Sequence, residues 1–510
     1  MRKNIFSIVS ILILTMMVSC EDYLSRPPYG VLTEDIFYNT PEQLLQGLTV
    51  AYNYLGESGF ETPLFALGNI MTDDSEKGGG DINDQPSMYE LSRFRAVASN
   101  AICLQLWTVC YAGIYNCNIV IEKSGVVEDL NPELVGRIRA EAKYLRGLYY
   151  FHLASTFGGV PLVLTPLSPS ELQVERASFD ATWDQIEKDF SEAAQVLPLK
   201  SEYSATDLGR ATSGAANTML AKANLMRQKY LQAETALANV VSSNQYSLVD
   251  DFGKIFTKPY ENGIESVFEI QHNNTASSGG SEGSGLNRFC WSRKNGGWGF
   301  DCPTEDLKNE LGTGDPRLIY TLTFTGDIFS GNDVIDNSES LTGYHNRKIY
   351  LAPEERDNPE NDQGYNMRYL RYADVLLLYS EVLNENGKSQ EALTYLNLVR
   401  ERARNTNPMD PKRTHQEIVI SIDLPQVNVS NKDELRAIIW RERRVELAME
   451  YHRRFDLIRQ QRFGNVMRAY ASNYQTDKGS LFNDSYHNLC PIPTEEIDRS
   501  KGIITQNPGY

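Results

Sequence analysis

Histidine and cysteine are both sparse in this chain, six and seven residues among 510. The histidines form no H-E-x-x-H pair and the cysteines no C-x-x-C, so a catalytic zinc site with ordinary ligand spacing has no support. An excess of positive charge is missing too: the formal net charge is −18, which argues against nucleic acid and against docking through anionic lipid headgroups. Beyond the first twenty residues no apolar run approaches the ~20 residues of a membrane-spanning helix. Pro and Gly are scattered through the remaining about 490 residues, enough chain for a large soluble core or several sub-cores. Phosphate and nucleophile motifs fail on context. "GGSEG" at 279–283 matches G-x-S-x-G but lies inside a Ser/Gly run, without the strand and helix a nucleophile elbow needs. "GKS" at 387–389 lacks the first P-loop glycine, because Val382 stands there.

What is present begins with a leader. Arg2 and Lys3 precede an apolar stretch from Ile5 to Val18, and "MMVSC" ends it at Cys20; this is the charged, hydrophobic and small-residue grammar of a secretory signal over residues 1–19. A transmembrane anchor is the rival reading, but Glu21 and Asp22 follow at once. Cys20 resembles a lipobox cysteine, which bacteria diacylate as the mature N-terminus, with Met17 where leucine is usual. Loss of Arg2 and Lys3 with the leader takes the net charge from −18 to −20. Neutral or cationic partners are therefore favoured.

The body reads as mostly α. Helical periodicity runs from about Pro41 to Val249 and from about Arg368 to Arg462, while strand-like alternation is confined to pieces such as "SVFEIQ". "TPEQLLQGLTVAYNYL" sets Thr40 as N-cap and Pro41 at the first helical position, with Leu44, Leu48 and Ala51 on one face. Cys103, Cys110 and Cys117 share a helix face at intervals of about 10.5 Å, too far apart to bridge one another. Two segments, 220–241 and 379–400, superpose without a gap and align Ala233 with Ala392, Leu237 with Leu396 and Val240 with Val399. Each is a helix–turn–helix like the tetratricopeptide repeat, which needs stacked neighbours. The chain is thus expected to divide into a helical part over 20–250, a loop-rich insertion over 251–366, a second helical part over 367–465 and an irregular strap over 466–510. "WRERRVELAMEYHRR" is expected to be a salt-bridged helix, with Glu450 and Arg454 at i and i+4.

Within the insertion, "RFCWSRKNGGWGFDCPTEDL" strands two tryptophans among glycines and charges, where neither helical nor strand period would bury them. Loops on a rigid scaffold commonly carry binding sites. Cys290 and Cys302 flank both rings and either close a disulfide around them or remain free.

Taken together, "CEDYL", "WTVCYAGIYNCNIVI", "AEAKYLRGLYYFHLASTFGGVPLV", "GWGFDCPTEDL…DPR", "MRYLRYADVLLLYSEVLNENG", "LRAIIWRERRVELAMEYHRRFDLIR" and "PIPTEEI…QNPGY" resemble the SusD/RagB family over nearly all of the mature chain. The resemblance implies a surface lipoprotein of a Gram-negative bacterium, built on a discontinuous tetratricopeptide scaffold whose loop-rich insertion carries the ligand site. Such proteins capture glycans, or sometimes peptides, and sit as a lid on a SusC-like TonB-dependent outer-membrane transporter. It implies no cofactor, and Glu21 and Asp22 resemble the family's signal for reaching the outer leaflet.

The resemblance also implies where the ligand lies. A pyranose ring has a C–H face and a hydroxyl rim, so its receptor needs aromatic platforms beside amide, carboxylate and guanidinium groups. Trp298 falls in the family's "GWG" segment and is either a platform or a local anchor; Trp291, in a variable part, is expected to contact ligand. A second patch matches "MTDDSEKGGGDINDQPSMYELSRFRAVASN" and names Tyr89, Arg93, Phe94 and Asn100, with Asp73 or Asp74 as further acceptors. The alternative places Phe94 in the core and makes Asn100 a helix N-cap. Two other functions remain: a glycosidase using a carboxylate pair, and an assembly scaffold with no small ligand.

Overall fold

The computed structural model describes residues 38–125, 131–168, 170–274, 282–357 and 362–510. The leader, Cys20 and the acidic pair after it lie outside these residues.

Helices dominate, and their ends follow from local chemistry. Helix α1, Pro41–Gly56, opens with a capping box in which Thr40 and Gln43 satisfy each other's backbone N–H groups. Helix α2, Ala101–Lys123, is capped by Asn100, whose side chain accepts from the Ile102 and Cys103 N–H groups. Cys103, Cys110 and Cys117 are buried along it as free thiols, as are Cys290 and Cys302, which remain unpaired. Helix α3, Pro132–Phe157, is buried almost continuously from Ala140 onward and packs between α2 and α4, Phe179–Val196.

The two repeat copies become the pairs α5, Ser213–Met226, with α6, Tyr230–Ser242, and α7, Tyr372–Glu385, with α8, Ser389–Asn405. Ala233 and Ala392 are fully buried where the helices of each pair cross. Their small methyl side chains let the backbones approach. Helix α6 packs against α7, so the insertion leaves and re-enters the chain between two neighbouring helices. Helix α9, Lys432–Leu447, continues the stack against α7 and α8. The insertion is stitched to the scaffold at its own roots: strand β2, Ser266–Ile270, pairs antiparallel with β4, Met367–Arg371.

Buried charge does the rest of the stitching. Arg371 on β4 reaches Glu265 at 2.7 Å, Glu446 at 3.0 Å and Glu450 at 2.6 Å, and all four residues are almost fully buried. Glu446 also takes Arg317 from the insertion and Arg402 from α8, at 2.9 and 2.5 Å. The expected Glu450–Arg454 helical pair is absent. The helix stops at Leu447 and the chain turns through Met449 and Tyr451, both at positive φ; Glu450 thereby faces Arg371 and Lys348, and Arg454 donates to the Ser155 and Asn488 carbonyls.

Candidate functional site

Two segments that are more than 200 residues apart in sequence form one surface. Strand β1, Ser75–Gly78, pairs antiparallel with β3, Phe300–Pro303, in a register that sets Gly78 opposite Phe300 and Glu76 opposite Cys302. Gly78 and Gly79 both adopt positive φ, at 70° and 75°, a conformation that side chains resist. The turn they make brings the Gly79 N–H to the Gly299 carbonyl at 2.7 Å. Lys77 then pins the loop beyond, donating to the Asp81 and Asp84 carbonyls at 2.8 and 2.5 Å.

Trp298 stands at this junction, 42% exposed. Its backbone is held by the Arg288 carbonyl at 2.8 Å, and its ring meets Phe289 edge-on at 5.6 Å with the Arg288 guanidinium 5.7 Å from the ring centre. Arg293 lies against Gly299, the residue after Trp298, and the ion pairs there are long, although the Asp84 carboxylate also accepts from the Gly80 N–H at 2.8 Å. Arg293 is 3.7 Å from Asp84 and 3.9 Å from Glu339, Lys294 is 3.6 Å from Glu339, and all four side chains are substantially exposed. Beneath them the Asp301 carboxyl is fully buried and accepts from Asn69 and Ser75 at 2.9 and 2.6 Å. Burial, outweighing those donors, pushes it up to about 7.

The other expected site residues are placed differently. Trp291 is 8% exposed, not open to ligand: it packs with Tyr350, Phe329, Ile335 and Ala352, and the Arg356 guanidinium lies 3.5 Å from its ring centre. A later part of the insertion folds back over it, which the local sequence does not announce. Asp73 and Asp74 are buried acceptors for Arg453 and Arg444, with Asp73 held well below the usual carboxylate range by those guanidinium groups despite its burial. Arg93 is buried against Glu76 at 2.9 Å and Asp477 at 2.8 Å, and Phe94 packs on Phe463 and Phe482. Asn100 is the α2 cap and is almost fully buried. Of the second patch only Tyr89 stays half-open, with Arg93 over its ring at 5.1 Å.

Asp84, Arg293, Lys294 and Glu339 were not among the expected residues. The "GGG" before Asp84 and the "RKNGG" before Trp298 carried a signal for them, since glycine runs mark close backbone approaches. Among the described residues no group of three or more His, Cys, Asp or Glu could hold a metal ion, and no helix is long and apolar enough to cross a membrane.

Two family models cover most of the chain. Residues 264–510 match the model described as SusD family, and residues 22–225 match one described as starch-binding associating with outer membrane. The protein belongs to the SusD family. A SusD-like protein from Formosa agariphila, P2, is 26% identical over 528 aligned residues, covering 99% of each chain. Among solved structures, a laminarin binding SusD-like protein is 27% identical with a TM-score of 0.75, covering 92% of this chain and 99% of its own. Surface glycan-binding protein A from Bacteroides thetaiotaomicron, solved with laminarihexaose, shares the fold at a TM-score of 0.74 and 24% identity, covering 91% of this chain and 99% of its own. The mostly helical, tetratricopeptide-like SusD fold is thus common to all three architectures compared.

Proposed function

We propose that this SusD family member is a carbohydrate-binding lipoprotein of the outer membrane and that the face around Trp298 receives the sugar. The observation that carries the reading is the half-exposed Trp298 ring, fixed by Phe289 and Arg288, beside loosely paired Arg293, Asp84, Lys294 and Glu339. An indole matches the C–H face of a pyranose, and charged groups match its hydroxyls. Exposed ion pairs are worth little, so these side chains exchange one another for ligand hydroxyls at small cost. The laminarin-binding relative supports a glycan as the ligand class. We assign binding without catalysis: Asp84 and Glu339 are exposed and share Arg293, and the relative of known ligand is named for binding laminarin.

Trp298→Ala is expected to weaken glycan binding about 5- to 150-fold, since the contact is worth roughly 1–3 kcal/mol. The unfolding temperature should stay close to the parent's. Trp291→Ala should instead lower that temperature, because it empties a packed site. Isothermal titration against an oligosaccharide panel, with thermal melts of both variants, makes the comparison; equal affinity of the parent and Trp298→Ala for every bound glycan rejects the face.

Delivery completes the reading. The protein is held through a diacylated Cys20, faces the cell exterior and closes over a SusC-like TonB-dependent transporter, to which it hands its ligand. Pull-down from membranes solubilised in mild detergent should bring down a TonB-dependent barrel. A lone lipoprotein in every detergent tried contradicts the lid.

A further inference from the structure

A second polar site lies on the scaffold. A groove with a volume of about 270 Å³ is lined by Arg441 and Arg444 of α9, by Tyr470 of helix α10, Phe463–Tyr474, by Arg453 and Arg462 from the stretch between those helices, and by the carboxylates of Asp73, Asp306 and Glu310. That volume lies just below the ~300 Å³ at which ordinary ligand pockets begin, room for one sugar unit and not a chain.

The charges in the groove do not pair off evenly. Arg444 takes Asp74 at 2.7 Å, Asp306 at 2.6 Å, Asp73 at 3.0 Å and Glu310 at 3.3 Å; Arg453 takes Asp73 at 2.7 Å; and Arg441 pairs with Glu310. These carboxylates are spent on three arginines. Arg462 is the fourth, and among the described residues no carboxylate lies within ion-pair distance of it. Its Nε donates to Gln460 at 2.8 Å, and its guanidinium lies 5.0 Å from the centre of the Trp440 ring. Burial, and after it the positive charge of Arg453, hold its pKa down to about 10. Asp73 and Asp456 act on Arg462 only from beyond ion-pair distance, and among the described residues its terminal nitrogens have no acceptor; a half-buried guanidinium left in this state attracts an oxyanion, and a carboxylate fits the planar fork with two parallel hydrogen bonds.

We infer that this groove is a second saccharide site, selective for a sugar unit that carries a carboxylate, with Arg462 as the residue that pairs with the acid. The inference rests on the carbohydrate reading above but uses a different set of residues, so the two separate experimentally. Isothermal titration of the intact protein with D-glucuronate should show binding that weakens as salt is added, while D-glucose at the same concentrations shows none. Arg462→Gln should weaken glucuronate binding at least about tenfold and Trp298→Ala should leave it unchanged, with both variants melting like the parent. Binding of a neutral oligosaccharide should show the reverse dependence. No glucuronate binding by the parent, or equal binding by Arg462→Gln, overturns the site. Inorganic sulfate binding through Arg462 while glucuronate does not bind overturns the sugar assignment. Failure of the parent to bind any neutral oligosaccharide while it binds glucuronate counts against the Trp298 face and leaves the groove intact.

Discussion

Glu446→Ala is expected to lower the unfolding temperature by roughly 3–5 °C. Its carboxylate sits at the meeting point of Arg317 from the insertion, Arg371 from the insertion's root and Arg402 from the second repeat pair. Removing one partner of a buried ion pair costs about 3–5 kcal/mol because the remaining charges stay buried, and a chain this long converts that into about 1 °C per kcal/mol. As a control, removing the exposed Lys254–Asp250 pair should leave the melt where it was. The effect should depend on acid. Burial alone would raise the Glu446 pKa, but Arg402, Arg371, Arg317 and Lys348 outweigh it and hold the pKa down to about 2. Its folded-state pKa therefore lies below its ordinary value near 4.5. The stabilisation is complete above about pH 4.5 and drains away as pH falls toward 2. Calorimetry of the parent and Glu446→Gln across that interval should show the two melts converge. A constant gap, or no gap at neutral pH, contradicts the role given to this carboxylate.

Cys20→Ala is expected to move the protein from the membrane fraction to the soluble one. A single acyl chain binds membranes only marginally, whereas two hold them stably, and among the described residues no helix can span a bilayer. Labelling with radioactive palmitate should vanish in the same variant. Unchanged fractionation together with undiminished label rejects Cys20 as the anchor.

The scaffold was legible because its rules are local. Thr40 and Gln43 cap α1 as their spacing requires, and the paired Ala233 and Ala392 mark helix crossings that any stacked repeat must have. What periodicity could not supply is which distant segments meet. The adjacency of α6 and α7 across the insertion is a tertiary fact. So is the burial of Trp291, achieved by Tyr350 and Arg356 about sixty residues later. Charged helices misled for a related reason: the spacing of Glu450 and Arg454 suits a helix, but Met449 and Tyr451 turn left-handed, and each charge finds partners elsewhere. Of the two tryptophans, Trp298, which the sequence makes either a platform or an anchor, is half-exposed, and Trp291, expected to contact ligand, is packed. In the second expected patch the alternative reading holds for Phe94 and Asn100, a core ring and a helix N-cap. Asp73, Arg93 and Asn100 all make strong polar contacts, but with the protein itself.

The claim that sugar docks on Trp298 is tested most directly by fluorine NMR of protein labelled with 5-fluorotryptophan. The chain has five tryptophans, so the spectrum has five signals to assign by single substitution. Only Trp298 joins substantial exposure to a loosely paired polar rim. Titration with a neutral oligosaccharide that the parent binds should shift the Trp298 signal progressively and leave Trp107, Trp183, Trp291 and Trp440 in place. Saturable binding that moves the Trp291 signal while the Trp298 signal stays fixed contradicts the account.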